Sequence, residues 1–250
     1  MRFSRLAFLI FYPAIWIIAH LPFSFLYKIS DVLYWIIFKL VGYRTRIVYD
    51  NLARSFPENN KSELLLIQKK FYAHFCDLIV ETVKTLAITP QQLRSRVQFE
   101  ETDLFHQYFE KKRSVIVVMG HYGNWEYGGA RFAQDTDIHP LSVLYHPLKN
   151  TDFENLLYQM RTQHGYQLVA MKNAARQMIH SKKKVTATAF IADQTPPPES
   201  APWIRFLNQP TPVFMGVEKL ARKFNYPVIY ITVQKTKRGH YTIIPELLFD

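Results

Sequence analysis

The sequence predicts an α/β fold, a mostly parallel central sheet flanked by helices, preceded by an N-terminal hydrophobic helix that reads as a membrane anchor. Three observations predict it. Residues 6–27, "LAFLIFYPAIWIIAHLPFSFLY", carry no formal charge, and about 20 apolar residues in a helix match the hydrocarbon core of a bilayer. Residues 62–88 place apolar side chains at helical spacing, and Pro90 is expected to end that run. Beyond it, short apolar runs alternate with amphipathic ones, the order that builds parallel sheets with helices on their faces.

Arg2 and Arg5 stand before the first apolar run and Lys28 after it. No small-residue cleavage site follows, so the segment is expected to stay attached rather than leave as a signal peptide. A second apolar segment comes next, "ISDVLYWIIFKLV". Pro13, His20 and Pro22 interrupt the first run. A helix dipping into one leaflet, followed by an amphipathic interfacial helix, therefore stands beside a spanning helix, and a buried helical hairpin stands beside both. Trp16, Tyr27, Tyr34 and Trp35 suit a lipid–water interface, and Lys39, Arg44 and Arg46 suit its headgroups. The expected division is residues 1–45 as anchor and interfacial helix and 46–250 as the unit that carries the chemistry.

Strands are expected at 115–119, 141–145, 167–170, 185–192, 228–233 and 241–244, and helices at 126–134, 151–164, 173–182 and 216–225. The segment "TPPPES" at 195–200 is expected to be a stiff, exposed loop.

The 250 residues are 48% hydrophobic, enough for a substantial core. Lys and Arg number 31 against 20 acidic residues, a net charge of +11. Such a chain prefers anionic partners, and the apolar N-terminus selects a membrane face and an acidic protein over nucleic acid. The lone cysteine, Cys76, excludes an internal disulfide and a cysteine-rich zinc site, and is expected to be a small buried residue.

Ligand sites in open α/β sheets form outside the carboxyl ends of strands. At one such end stands "MGHYGNWE", with His121 flanked by Gly120 and Gly123 and followed by Glu126. A carboxylate that fixes one imidazole nitrogen as N–H leaves the other as an outward-facing base. No G-x-S-x-G occurs and Ser114 lies at the wrong end of its strand, so the nucleophile is expected to be a substrate hydroxyl deprotonated by His121. Two further strand ends carry polar groups, Tyr145, His146 and Asn150 on one, Asp193 and Gln194 on the other, and all three should converge on one sheet edge. Arg161 is a candidate phosphate ligand or a plain helix-face arginine. No ligand-spaced cluster is present, so no metal and no cofactor are expected.

These residues, in this order, resemble the late lipid A biosynthesis acyltransferases, a branch of the glycerolipid acyltransferase superfamily. The resemblance rests on "YDNLARSFPE" at 49–58, "GHYGNWE" at 120–126, "YHPLKN" at 145–150, "RTQHG" at 161–165, Asp193–Gln194 and "FLNQPTPVFMG" at 206–216. "SFPENNKS" mimics a glycerol-phosphate acyltransferase motif but precedes the His121 box and lacks Gly-Thr-Arg. Asn208 stands where the family usually has glycine. The chain stops at Asp250 without the Trp- and His-rich segment expected of the family, which suggests a truncated C-terminus.

The resemblance implies transfer of a fatty acyl group from a thioester, on acyl carrier protein, to a hydroxyl of a lipid A-type glycolipid. Another acceptor, such as an aminolipid or inositol mannoside, and a non-catalytic lipid-binding protein are the competing readings. His121 would be the general base and Glu126 its orienting partner. Gly123, Asn124, Tyr145, Asn150, Arg161, Asp193 and Gln194 would bind substrates, with Asn124 and the turn's N–H groups at the oxyanion. Coenzyme A is the competing donor. The expected location is the cytoplasmic face of a bacterial inner membrane.

Overall fold

The structure, a computed structural model, describes residues 2–135 and 138–250, with the side chains of residues 2–7 and 200 left aside, so Arg2 and Arg5 lie outside the described side chains. Helices α1 (Arg2–His20) and α2 (Phe23–Tyr34) come first, and α2 runs into a π-helical turn at Trp35–Leu40. Then follow α3 (Thr45–Ser55), α4 (Lys61–Lys84), α5 (Pro90–Arg96), β1 (Val97–Phe99), α6 (Asp103–Glu110), β2 (Val115–Met119), α7 (Trp125–Phe132) and β3 (Leu141–Tyr145). The second half holds α8 (Thr151–Thr162), β4 (Gln167–Ala170), α9 (Ala174–His180), β5 (Ala187–Ile191), a hairpin of β6 (Trp203–Phe206) and β7 (Gln209–Pro212), α10 (Gly216–Phe224), β8 (Val228–Lys237) and β9 (His240–Phe249).

Seven strands form one sheet in the order β1-β9-β8-β2-β5-β3-β4, and β6 and β7 pair only with each other. Within the large sheet β8 and β9 are antiparallel and every other pair is parallel. The sheet is buried on both faces, which is why its central strands read as unbroken apolar runs. Val115 and Val117 of β2 join Leu93, Phe105, Tyr127 and Phe132 from α5, α6 and α7 on one face. Ile116 joins Met178 of α9 and Ala221 of α10 on the other. The six expected strands all form, and β1 and the β6–β7 hairpin are additions that short or fully exposed runs concealed.

Two boundaries differ from expectation. The helix over 62–88 stops at Lys84, and Pro90 opens α5 instead of closing α4. Proline suits a first helical position because its missing N–H would have no partner there. Thr89 and Gln92 complete that start as a reciprocal capping box.

The apolar run 6–27 is not one helix. Pro22 caps the start of α2, and the chain breaks at Leu21. Among the described residues no helix is long and apolar enough to cross a membrane, so the structure gives no support to a spanning anchor. The segment instead docks on α4. Lys84 donates from Nζ to the carbonyls of Ala19 and Leu21, at 2.9 and 3.0 Å, closing the C-terminal end of α1. Tyr27 donates to Glu81 at 2.9 Å and Ser30 to Asp77 at 2.8 Å. The outer side of α1 leaves Leu9, Ile10, Phe11, Trp16 and Ile17 exposed. Cys76 is buried, as its residue type predicts.

Candidate active site

Strand register brings the chemistry together. Met119 of β2 pairs with Ile191 of β5, so the second residue beyond each strand, His121 and Asp193, face one another. The Asp193 carboxylate accepts from the His121 backbone N–H at 2.7 Å and from Nδ1 at 2.6 Å. With Nδ1 carrying the proton, Nε2 is left with its lone pair. The side chains of His121 and Asp193 are 31% and 44% exposed, so the imidazole stands where solvent reaches it. The Trp125 ring packs nearly perpendicular to the imidazole, their centroids 4.8 Å apart, and limits its tilt.

The carboxylate holding His121 is therefore Asp193 and not Glu126. Glu126 is turned away by the start of α7, buried, and bound bidentately by Arg161 at 3.1 Å through Nε and 2.6 Å through Nη2. This fork geometry is the strong form of an arginine–carboxylate pair. It ties α7, which follows the His121 turn, to α8. Arg161 is thus neither a solvated helix-face residue nor an unengaged phosphate ligand.

Gly123 has φ +63°, and a Cβ there would lie 1.7 Å from the carbonyl oxygen of Val233. The turn presses against β8 so closely that only glycine fits. Asn124 is 1% exposed, accepts from the Tyr127 N–H at 3.0 Å and donates to Glu81 at 2.7 Å. Both ends of its amide are used inside the fold, so it caps α7 and does not face an oxyanion. Asn150 likewise caps α8, accepting from Asp152 and Phe153, and does not line the cavity. Tyr145 and Gln194 do line it. Burial first, and then the Glu154 carboxylate that accepts from it at 2.7 Å, push the Tyr145 hydroxyl up to about 12, so it remains a donor at neutral pH. The strand ends of β2, β3 and β5 do converge, supplying His121, Asp193, Tyr145, His146 and Gln194, while Asn150 is spent on the start of α8.

Below His121 a cavity of about 230 Å³ runs between α7 and the sheet. Its depth is apolar, walled by Val117, Phe132, Leu141, Val143, Ile231 and Ile243, while His121, Glu126, Arg161, Tyr145 and Gln194 stand toward its polar side. Gly129 lines it too, and a Cβ there would meet nothing within 4 Å. Among the described residues no three His, Cys, Asp or Glu side chains stand together as metal ligands.

A buried polar lattice supports the turn. His74 donates from Nε2 to the Gly123 carbonyl at 3.2 Å and accepts at Nδ1 from Lys235 at 3.1 Å. Asp77 takes Lys235, Arg238 and Ser30. Glu81 is fully buried and accepts from Tyr27, Asn124 and Tyr241, and burial raises its pKa. His74, Asp77, Glu81 and Lys84 recur at helical spacing along one face of α4. That stripe of ionisable residues at the spacing of a buried helix face was the signal in the sequence for this support.

Burial lowers the pKa of His74, His139 and His164. The unfolded chain then binds more protons than the folded one, so stability rises with pH through this window and falls below about pH 6.5. Glu81 acts in the opposite sense, and comparison with a variant that retains it cancels that contribution. The expected result is a Tm that drops more steeply on acidification in the wild type than in His164→Gln. Parallel slopes would show that His164 does not resist protonation.

A histidine held by a carboxylate at a parallel strand end, above an apolar cavity, has the geometry of a candidate general base in an α/β fold. The chain belongs to the bacterial lipid A biosynthesis acyltransferase family, whose model matches residues 3–247. It is accordingly an acyltransferase, with an acyl donor and a lipid acceptor as its substrates. No curated protein sequence matches the chain.

Proposed function

We propose that the protein transfers a fatty acyl group from a thioester on acyl carrier protein to a hydroxyl of a lipid A-type precursor, at the cytoplasmic face of a bacterial inner membrane. The observation that carries this reading is the pairing of an oriented base, His121, with an apolar cavity directly beneath it. His121 Nε2 takes the proton of the acceptor hydroxyl as its oxygen attacks the thioester carbonyl. A C–O bond forms and the carbonyl π electrons move onto oxygen. Asp193 stabilises the resulting imidazolium. Because Asp193 occupies the His121 N–H, the backbone N–H groups that follow it in the turn are the candidates to receive the oxyanion. The intermediate collapses, the C–S bond breaks, and the imidazolium returns its proton to the thiolate, releasing a free thiol. The acyl tail lies in the cavity, where apolar walls exclude water. The basic surface complements an acidic carrier protein.

The test is incubation of the purified protein with acyl carrier protein thioesters and a lipid A precursor, read by mass spectrometry. A product heavier by one acyl group is expected, and its absence with every thioester and acceptor offered would overturn the reading. The cavity makes a further prediction. Gly129→Leu projects a side chain into free space, so transfer of long acyl chains should fall while short chains still turn over. An unchanged chain-length profile would show that the tail lies elsewhere.

A further inference from the structure

The β6–β7 hairpin has no role in the site as described. It leaves the sheet after Asp193 and Gln194 and returns through α10, so it stands at the catalytic end. It pairs with no strand of the large sheet. Trp203, Ile204, Phe206 and Leu207 are 54%, 47%, 55% and 44% exposed. Alternation along a strand sends Ile204 and Phe206 to one face and Trp203 with Arg205 to the other, so apolar groups occupy both faces. An isolated two-stranded hairpin of this kind is marginal in water. Its two-residue turn places Leu207 at φ 45° and Asn208 at φ 63°. Asparagine tolerates the left-handed region, whereas a leucine there is rare and costs energy.

We infer that this hairpin inserts its tip into an anionic bilayer, as a second lipid contact beside the N-terminal helices. The inference rests on the acyl-transfer reading above and deepens it, since it states how the site meets the plane of its lipid acceptor. Charge and continuity select a bilayer over a second protein. Gln209 donates to Ser55 at 3.3 Å, which joins the hairpin to α3. The chain leading into α3 exposes Trp35, Leu40, Val41, Tyr43 and Ile47, interleaved with exposed Lys39, Arg44 and Arg46. With Arg205 on the hairpin and Arg54 on α3, cations border the aromatic groups throughout. Among the described residues, Arg46 is the one of these cations in an ion pair, with Asp50 at 3.8 Å. Tryptophan, phenylalanine and arginine interleaved in this way match the boundary between headgroups and acyl chains.

The test uses full-length protein carrying Phe206→Cys, labelled with an environment-sensitive fluorophore. Cys76 is buried and inert to the label. Vesicles of phosphatidylcholine and phosphatidylglycerol with brominated acyl chains are then added. The label at position 206 should lose most of its emission, as should one introduced through Leu9→Cys on α1, whereas a label introduced through Ile179→Cys on α9 should keep its own. Quenching at position 9 without quenching at 206 would overturn the hairpin contact while leaving the acyl-transfer reading intact. Failure at both positions would overturn lipid contact at both elements, and acyl transfer in detergent would still be measured separately. A spectral shift at 206 that depends on protein concentration and not on vesicles would assign the hairpin to self-association and likewise overturn the proposal.

Discussion

Turnover of the His121→Ala protein should fall by about 10²–10⁴-fold, the usual contribution of a positioned general base, with the fold intact. The side chain is 31% exposed and, among the described residues, hydrogen-bonds to Asp193 alone, so its removal opens no core cavity and thermal stability should stay within the range of surface substitutions. Asp193→Asn provides the sharper comparison. Its amide can donate to Nδ1, which drives the imidazole proton onto Nε2 and disables the base through the wrong tautomer. The rate of that variant should approach that of His121→Ala, although its shape is almost unchanged. Glu126→Gln should retain clearly more activity, because Glu126 bonds Arg161 and not the imidazole. A full rate in a folded Asp193→Asn protein, or equal losses in Asp193→Asn and Glu126→Gln, would refute this assignment.

Arg161→Ala should be the most destabilising single substitution at the site. It strands the Glu126 carboxylate, whose side chain is 7% exposed, without its only described ion-pair partner. Breaking a buried pair costs about 3–5 kcal/mol. Because 22% of the Arg161 side chain meets solvent, the lower end, about 3 kcal/mol, is the expected loss. For a chain of this size each kcal/mol shifts Tm by about 2–4 °C. The double variant Glu126→Leu/Arg161→Met removes both charges and should recover most of that stability, since an apolar pair of similar volume is often neutral. Denaturant midpoints of the single and double variants check this. A double variant no more stable than Arg161→Ala would mean that Arg161 does not stabilise by neutralising Glu126.

Local pattern announced the sheet strands because a sheet buried on both faces demands continuous apolar runs, and VIVVM, LSVLY and VIYITV leave little else. It also placed His121, Tyr145 and Asp193 at strand ends, since a run that stops at a glycine or a polar cluster marks its own boundary. The elements it missed were those whose burial is atypical. β1 is three residues long, and the β6–β7 hairpin is exposed on every residue of β6, so neither has the periodicity that water imposes on a half-buried strand. The break at Pro22 was legible as an interruption with a helical hairpin among the readings, and docking on α4 with the Lys84 cap is what favours two helices over one.

The sequence by itself determined an α/β architecture, a histidine at the end of a parallel strand, a resemblance to one acyltransferase branch and an excess of positive charge. These are properties of neighbours along the chain. Only the tertiary structure decided which carboxylate holds His121. Glu126 is five residues from His121 and Asp193 is seventy-two, yet the β2–β5 register sets Asp193 opposite the imidazole, while the first turn of α7 carries Glu126 inward to Arg161. Asn124 and Asn150 look like ligand contacts in sequence and prove to be helix caps whose backbone partners lie two or three residues on. Distant partners, brought close by strand register and helix docking, decide the rest: Asp193 for His121, Arg161 for Glu126 and Glu81 for the Asn124 amide.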